Sequence, residues 1–311
     1  MIADLATGGA PELASLPLLG VGASLSFGAL PDPVALAAAP GGPSFIEYAG
    51  AVQHSFMREP LEQLQKLKVP LLYHPSCLNL CGPYPNPPGW LAAVNAHVRA
   101  VGSAWLAQDV ATCFIGDEPG YSIQLGYFLP PVFTRDSLEE ALTRVGEVRS
   151  MVRAPLLLEP APITFLVGDM DSLAWLGELA ERSGCGLLLD AGHLVSHNLA
   201  AGRAAEAPPT GLPLERVIEV HIAGGVLREK DGRRYYIDAH ELPVLPETRA
   251  MFGELLRLCP NLRAVCVECE GAAAQSVLPA LRRARERVAM GAANPALRER
   301  ARAELAKGGA S

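Results

Sequence analysis

The stretch Gly184-Cys185-Gly186-Leu187-Leu188-Leu189-Asp190 is an unbroken apolar run that stops at a carboxylate. A strand with one wet face alternates apolar and polar residues. A run without alternation suits a strand covered on both faces, as in a parallel sheet. Seven more such runs mark the chain, at residues 16–24, 44–50, 69–75, 104–110, 154–160, 217–224 and 264–271, and 185–192 is the sixth in order. Amphipathic helical patterns fall between most of them, at 59–68, 90–101, 137–152, 172–183, 247–258 and 272–288. The first and sixth helices, sought in 29–43 and 199–213, have the weakest patterns, because these stretches are rich in Ala, Gly and Pro. Strand alternating with helix eight times predicts an α/β fold of the (β/α)8 TIM barrel type. The barrel is expected to fill residues 1–290 as a single domain. Residues 291–311 are rich in Ala, Arg and Glu and are expected to form a peripheral helix with a frayed end.

The bulk properties agree. The chain has 311 residues, 50% of them hydrophobic and 19% charged, which suits one such barrel of roughly 250 residues with extensions. A net charge of −7 and a pI near 5.6 argue against a nucleic-acid partner, which needs a basic surface. No apolar run approaches the roughly 20 residues of a membrane span. Residues 1–17 lack the basic start and apolar core of a signal peptide, so a cytoplasmic location is expected. The seven cysteines are odd in number and scattered, and read mainly as small core residues.

Barrel chemistry gathers at the C-terminal ends of the strands. The runs close there on titratable residues: Glu47, His74, Asp109, Glu159, Asp190 followed by His193, His221, and Glu268 with Glu270. The loop after the seventh run adds Asp238 and His240, whose spacing lets two side chains on one extended face reach one ion. A single strand-end acid often does no more than cap the next helix, the role expected here of Glu47 and Glu270. His74, Asp109, Glu159, Asp190, His193, His221 and Glu268 coinciding at one barrel mouth is different. Ionised groups crowded there would repel each other and pay for desolvation unless cations sat among them. Mixed carboxylate and imidazole donors suit Fe, Mn or Zn, and the lack of an all-thiolate set argues against iron–sulfur. Cys77 and Cys81, just after His74, have no second pair to complete a tetrahedral site. Cys269 is expected between barrel and helices. His54, His97 and His197 have no evident partners, and His97 is expected at the surface.

Taken together, Leu19-Gly20-Val21-Gly22, residues 154–160, the Gly-Leu-Leu-Leu-Asp run, Val220-His221-Ile222-Ala223-Gly224, Ile237-Asp238-Ala239-His240 with Pro243-Val244, and Val267-Glu268-Cys269-Glu270 resemble the multinuclear non-heme iron-dependent oxidases, over about residues 18–285. The resemblance implies a xylose-isomerase-like TIM barrel with two or three irons at its mouth. It implies an enzyme that uses dioxygen to modify residues, often cysteine, of ribosomally made precursor peptides, beside a partner protein that binds the leader peptide. By position it implies His74, Asp109, Glu159, Asp190, His221, Asp238, His240 and Glu268 as metal ligands. Asp190, His221 and Glu268 then matter most to catalysis. The chain departs from the family pattern at Ala49, Val110 and Gly225, where the family commonly has histidine. It also departs at Gly192-His193, where the family has an amide pair. His193 is expected to ligate metal in compensation, the alternative being that it orients Asp190. The residues alone leave two other readings open: a non-redox metal-dependent isomerase, epimerase or hydrolase using Mn or Zn, and a metal-binding scaffold without turnover.

Overall fold

The protein is described from a computed structural model that covers residues 13–50, 57–118, 121–240 and 242–308. In chain order the strands are β1 (Gly20–Ser24), β2 (Ile46–Tyr48), β3 (Leu71–Tyr73), β4 (Leu106–Asp109), β5 (Thr112–Glu118), β6 (Tyr121–Leu129), β7 (Leu156–Glu159), β8 (Gly186–Asp190), β9 (Val217–Ile222), β10 (Gly225–Lys230), β11 (Arg233–Asp238) and β12 (Ala264–Glu268). The helices are α1 (Pro33–Ala38), α2 (Arg58–Lys66), α3 (Pro88–Val101), α4 (Arg135–Met151), α5 (Ser172–Ser183), α6 (Ala191–Ala200), α7 (Pro246–Leu258), α8 (Ala274–Gly291) and α9 (Pro295–Gly308).

Eight parallel strands close a barrel in the order β1, β12, β9, β8, β7, β4, β3, β2, and each of the eight apolar runs supplies one of them. The chain therefore folds as a TIM barrel. Local chemistry sets the helix ends. Asp171 caps α5 by accepting from the Leu173 and Ala174 amides, and Thr134 and Ser137 form a reciprocal cap on α4. Gly102 and Gly184 end α3 and α5 in the left-handed conformation that glycine adopts without a Cβ clash.

The barrel interior is layered by the two-residue period of the strands. Its lower end is an apolar plug that includes Phe45, Leu72, Trp105, Ala107, Leu157, Leu188 and Cys266, all 1% exposed or less. Gly22 makes room for it, since a Cβ there would overlap the Phe45 ring. A second apolar layer lies between the strands and the helices and contains Leu158, Leu189, Val265 and Val267. Cys269 belongs to that outer layer.

Three parts differ from the sequence expectations. The sixth helix is not in 199–213. It is α6, which starts at the first residue after β8 with Asp190 as its cap. Residues 112–129 and 225–238 form two antiparallel hairpins outside the barrel, β5–β6 and β10–β11. His97 is half-buried rather than at the surface: its Nε2 lies 2.8 Å from the Tyr48 hydroxyl and its ring packs edge-on to Tyr73. His197 also has partners, the Ser172 hydroxyl and the Ala161 carbonyl, and His54 lies outside the described residues. The chain from 295 to 308 is the helix α9, packed against α8 and β1.

Candidate metal centre

One layer above the plug, the same period delivers the polar residues. Glu47 follows Phe45 by two, His74 follows Leu72, Asp109 follows Ala107, Glu159 follows Leu157, Asp190 follows Leu188 and Glu268 follows Cys266. Strand register pairs Asp109 with Glu159, Asp190 with His221, and Ser24 with both Glu47 and Glu268, while His221 pairs with Cys266, two residues before Glu268. Every one of these acids and histidines is buried.

The result is a continuous chain of donors. His74 Nε2 lies 3.2 Å from Asp109 and 3.4 Å from Glu159, and its Nδ1 lies 3.6 Å from Glu47. His221 Nε2 lies 3.1 Å from Glu47 and its Nδ1 lies 3.1 Å from Glu268. His193 Nδ1 lies 3.2 Å from Glu159, and its Nε2 lies 3.4 Å from Asp238 and 3.9 Å from Asp190. His240 Nε2 lies 3.0 Å from Asp238 and 3.6 Å from Glu268, and its Nδ1 lies 2.9 Å from Glu270. All nine residues singled out as metal candidates from the sequence therefore lie in one connected cluster.

Two of these residues carry a second role. Asp190 Oδ1 accepts from the His193 amide at 2.7 Å and so caps α6, while its Oδ2 is buried without a hydrogen bond. His193 Nδ1 sits 2.9 Å from the Pro160 carbonyl, which can only accept. That nitrogen must carry the proton, and in the neutral ring Nε2 keeps a lone pair turned to Asp238 and Asp190.

Glu47 and Glu270 do not cap helices. The cap positions of α2 and α8 are Met57 and Ala273, neither with a side-chain cap. Glu47 instead joins the wall that faces His74 and His221, and Glu270 binds His240 and the Ser24 hydroxyl. Glu219 was missed altogether. It is fully buried two residues before His221 on β9, 3.8 Å from that ring, and accepts from the Trp105 indole at 2.7 Å. An acid two places before a strand-end histidine, on the same face, was the signal that could have found it.

Charge balance bears on what the cluster can hold. Glu47, Asp109, Glu159, Asp190, Glu219, Asp238, Glu268 and Glu270 set eight carboxylates against the four imidazoles of His74, His193, His221 and His240. Among the described residues no lysine or arginine pairs with any of them. Burial pushes the imidazoles of His74, His193 and His221 down, yet the surrounding carboxylates hold them well above the usual histidine range. The Glu268 charge, with Asp238 and Glu270, lifts His240 to about 12. Burial also raises Asp190 and Glu219 to about 7, and raises Glu159. Burial acts the same way on Glu47 and Glu268, but their histidine neighbours outweigh it and bring both to about 2. An imidazolium is thus the alternative to a metal cation in balancing these carboxylates.

The donor chemistry fits metal ions. Three sets have donor atoms within 4.8 Å of one another: Glu47, His74 and His221; His74, Asp109 and Glu159; Glu219, His221 and Cys266. Buried atoms left without a hydrogen bond concentrate here: both Glu47 oxygens, Glu159 Oε1, Asp190 Oδ2, Glu219 Oε1, both His221 nitrogens, Asp238 Oδ1 and Glu268 Oε2. Buried polar atoms normally find partners, and an ion supplies them for several of these at once. At Gly225 a Cβ would overlap the Tyr236 ring, and a Cβ at Gly192 would overlap the Tyr236 hydroxyl. Tyr236 therefore seats the β10–β11 hairpin, and with it Asp238, over the mouth. Val110 packs into the outer apolar layer and Ala49 is exposed.

The chain is 28% identical to a UPF0276 protein of Rhizobium meliloti (strain 1021) over 198 residues, 61% of each chain, so it spans less than two thirds of that relative's length. It is 25% identical to a UPF0276 protein of Anaeromyxobacter sp. (strain Fw109-5) over 219 residues, 68% of this chain and 74% of that one. Among solved structures, endonuclease IV from Thermus thermophilus superposes with a TM-score of 0.51 at 18% identity, covering 86% of this chain and 98% of that one. The IOLI protein with a binding zinc atom gives 0.51 at 10% identity, covering 94% and 100%. At such identities these two show the fold alone. The family model described as RiPP precursor modification enzyme MbnB/TglH/ChrH matches residues 36–287, from α1 through nearly all of α8 and so across seven of the eight barrel strands and the whole cluster. The chain belongs to this MbnB/TglH/ChrH family of enzymes that modify ribosomally synthesised peptides.

Proposed function

We propose that the protein is a multinuclear iron-dependent oxidase that modifies a ribosomally synthesised precursor peptide, at cysteine, with dioxygen as co-substrate. The observation that carries this reading is the buried carboxylate and imidazole cluster, without lysine or arginine counterions among the described residues, in a chain of this family. One ion would be held by Glu47, His74 and His221, and a second by His74, Asp109 and Glu159. Asp190, His193, Asp238, His240 and Glu268 would hold the remaining iron or complete the first two. Iron supplies electron transfer to dioxygen, which no amino-acid side chain provides.

The protein's own part is positional. The Pro160 carbonyl fixes the His193 tautomer, and the α6 amide fixes Asp190. Trp105 holds Glu219 beneath His221, and the plug keeps water from reaching the centre from below. Asp238, His240 and Glu270 form the wetter side, where a substrate side chain would enter. The leader segment of the peptide would be held by a separate partner protein, and the work would take place in the cytoplasm. No helix among the described residues is long and apolar enough to cross a membrane.

The test is metal analysis of protein from iron-supplied cells, followed by dioxygen uptake with a cysteine-containing precursor peptide. About two irons per chain are expected, with uptake that depends on the peptide. Trace metal only, with no uptake, would sink the reading. The same donors also suit zinc, which is bound in the structurally similar IOLI protein. Full zinc occupancy with isomerase or hydrolase turnover, and no dioxygen uptake, would select a non-redox enzyme instead.

A further inference from the structure

A groove of about 1230 Å³ runs along the flank of the barrel, between the tip of the β10–β11 hairpin, the end of α6 and the loop after β7. Four cations and one acid line it: Arg203, Lys230, Arg233 and Arg234 against Asp231. This is a local reversal in a chain of net charge −7. Asp171 neutralises Arg203 at 2.9 Å and Glu247 neutralises Arg234 at 3.3 Å. Lys230 and Arg233 are exposed and have no carboxylate partner among the described residues. They also face each other directly across the hairpin. Like charges in that position destabilise an antiparallel pair, so the hairpin tip is poorly arranged for its own stability and well arranged to clamp an anion. Beside them Phe165, 58% exposed, gives the groove an apolar wall.

The same hairpin leads to the metal centre. β11 begins at Arg233 and ends at Asp238, which touches His193 and His240. Five residue steps of about 3.4 Å put the groove roughly 17 Å from the centre along the strand.

We infer that this groove binds a carboxylate-rich segment of the peptide substrate, which lies about five residues from the side chain that enters the barrel mouth. The inference rests on the peptide-modifying reading above. The clamp acts through charge and carries no sequence detail beyond acidity. It places the reactive side chain by measuring a fixed length along an extended chain.

The test uses the full-length protein and a fluorescein-labelled decapeptide of alternating Glu and Gly, read by fluorescence anisotropy at low salt. Its Gln-Gly and Lys-Gly counterparts and a short single-stranded oligonucleotide serve as competitors. The acidic peptide should bind, and added salt should weaken it. Lys230→Glu with Arg233→Glu should weaken it about tenfold or more, and Lys230→Gln with Arg233→Gln about threefold. Arg282→Glu, on α8, should leave it unchanged. The glutamine pair keeps the test sound if the reversed pair fails to fold. Binding no tighter than the Gln-Gly peptide, or unchanged by either pair in protein that still melts cooperatively, overturns the groove. Tighter binding of the oligonucleotide overturns it in favour of a nucleic acid. Bound iron and dioxygen uptake are measured on the same preparations. If these are absent while the acidic peptide still binds, the oxidase reading falls. If they persist while acidic binding is absent, the groove alone falls.

Discussion

Glu47, Asp109, Glu159 and His221 stand on barrel strands and His74 directly follows β3, with side chains no more than 9% exposed. Asp238, His240 and Glu270 stand at the end of the hairpin and in the loops beyond β11 and β12, with side chains 19%, 27% and 23% exposed. The backbone of the first group is fixed by hydrogen-bonded ladders around a closed barrel. The second is fixed by the seating of Tyr236 and by contacts among its own members. The two walls share Glu268, which lies 3.1 Å from His221 and 3.6 Å from His240. On the reading proposed above, the strand wall would hold the ions and the loop wall would adjust when something enters.

The comparison orders the expected effects. Glu47→Ala and Asp190→Ala remove donors from the rigid wall and should lower metal retention by about a hundredfold or more, since even residues that merely support ligands cost ten to a hundredfold. Circular dichroism should still report a folded barrel, because the apolar plug is untouched, with an added loss of about 1 kcal/mol of stability in Asp190→Ala from the missing α6 cap. Full metal and activity in either variant would falsify the assignment of that wall. His240→Ala acts on the loop wall and should cost only about tenfold in metal retention, with one ion still held. Equal losses from Glu47→Ala and His240→Ala would erase the distinction between the walls.

Acidity should separate the metal-free from the metal-bound protein. The raised histidines stabilise the chelated protein below about pH 6.5 and cease to do so as pH rises toward their folded values, about 12 for His240. Asp190 and Glu219 act in the same direction, because the folded state resists ionising them until about pH 7. Glu47 and Glu268 act at the acid end. Their contribution is present above about pH 4.3 and is lost as pH falls toward 2. The chelated protein should therefore lose several degrees of Tm between pH 6 and pH 9. The gain in Tm on adding metal should grow over the same range, since metal displaces protons from imidazole. A chelated protein with a flat Tm across this range would mean that the cluster is not protonated as described.

The smallest effect concerns the hinge of the loop wall. Gly192→Ala improves the helix propensity of α6 by about 1 kcal/mol but drives a methyl group into the Tyr236 hydroxyl, a close approach that costs about 1–3 kcal/mol. A net loss of about 0–2 kcal/mol is expected, read as a small drop in Tm, together with looser binding of the ion nearest Asp238. Unchanged metal binding would show that the hairpin is positioned by other contacts.

Much of this was legible in the sequence because the barrel obeys a simple rule. Every apolar run became a strand, and Phe45, Leu72, Leu157 and Leu188 announced the inward residues two places on. Glu47 was undervalued because β2 is only three residues long, which hides its alternation with Phe45. The sixth helix was misplaced because it begins directly after β8, inside what reads as the end of a strand, with Gly192 near its start. The β10–β11 hairpin lies outside the barrel and carries no apolar run. Its signal was the Asp231-Gly232 turn, where both residues take positive φ. The β5–β6 hairpin is irregular in register, which blurs its period.

The plug below the cluster has a consequence for traffic. Among the described residues, the filling from Phe45 to Cys266 leaves the barrel no back door. Whatever reaches the polar layer arrives through the rim and must retreat the same way, past Asp238 and His240. With that end filled, a long polymer acted on by the proposed centre could not thread through it and would have to lower one residue at a time, from a free end or from a bend, and lift it out again before the next visit.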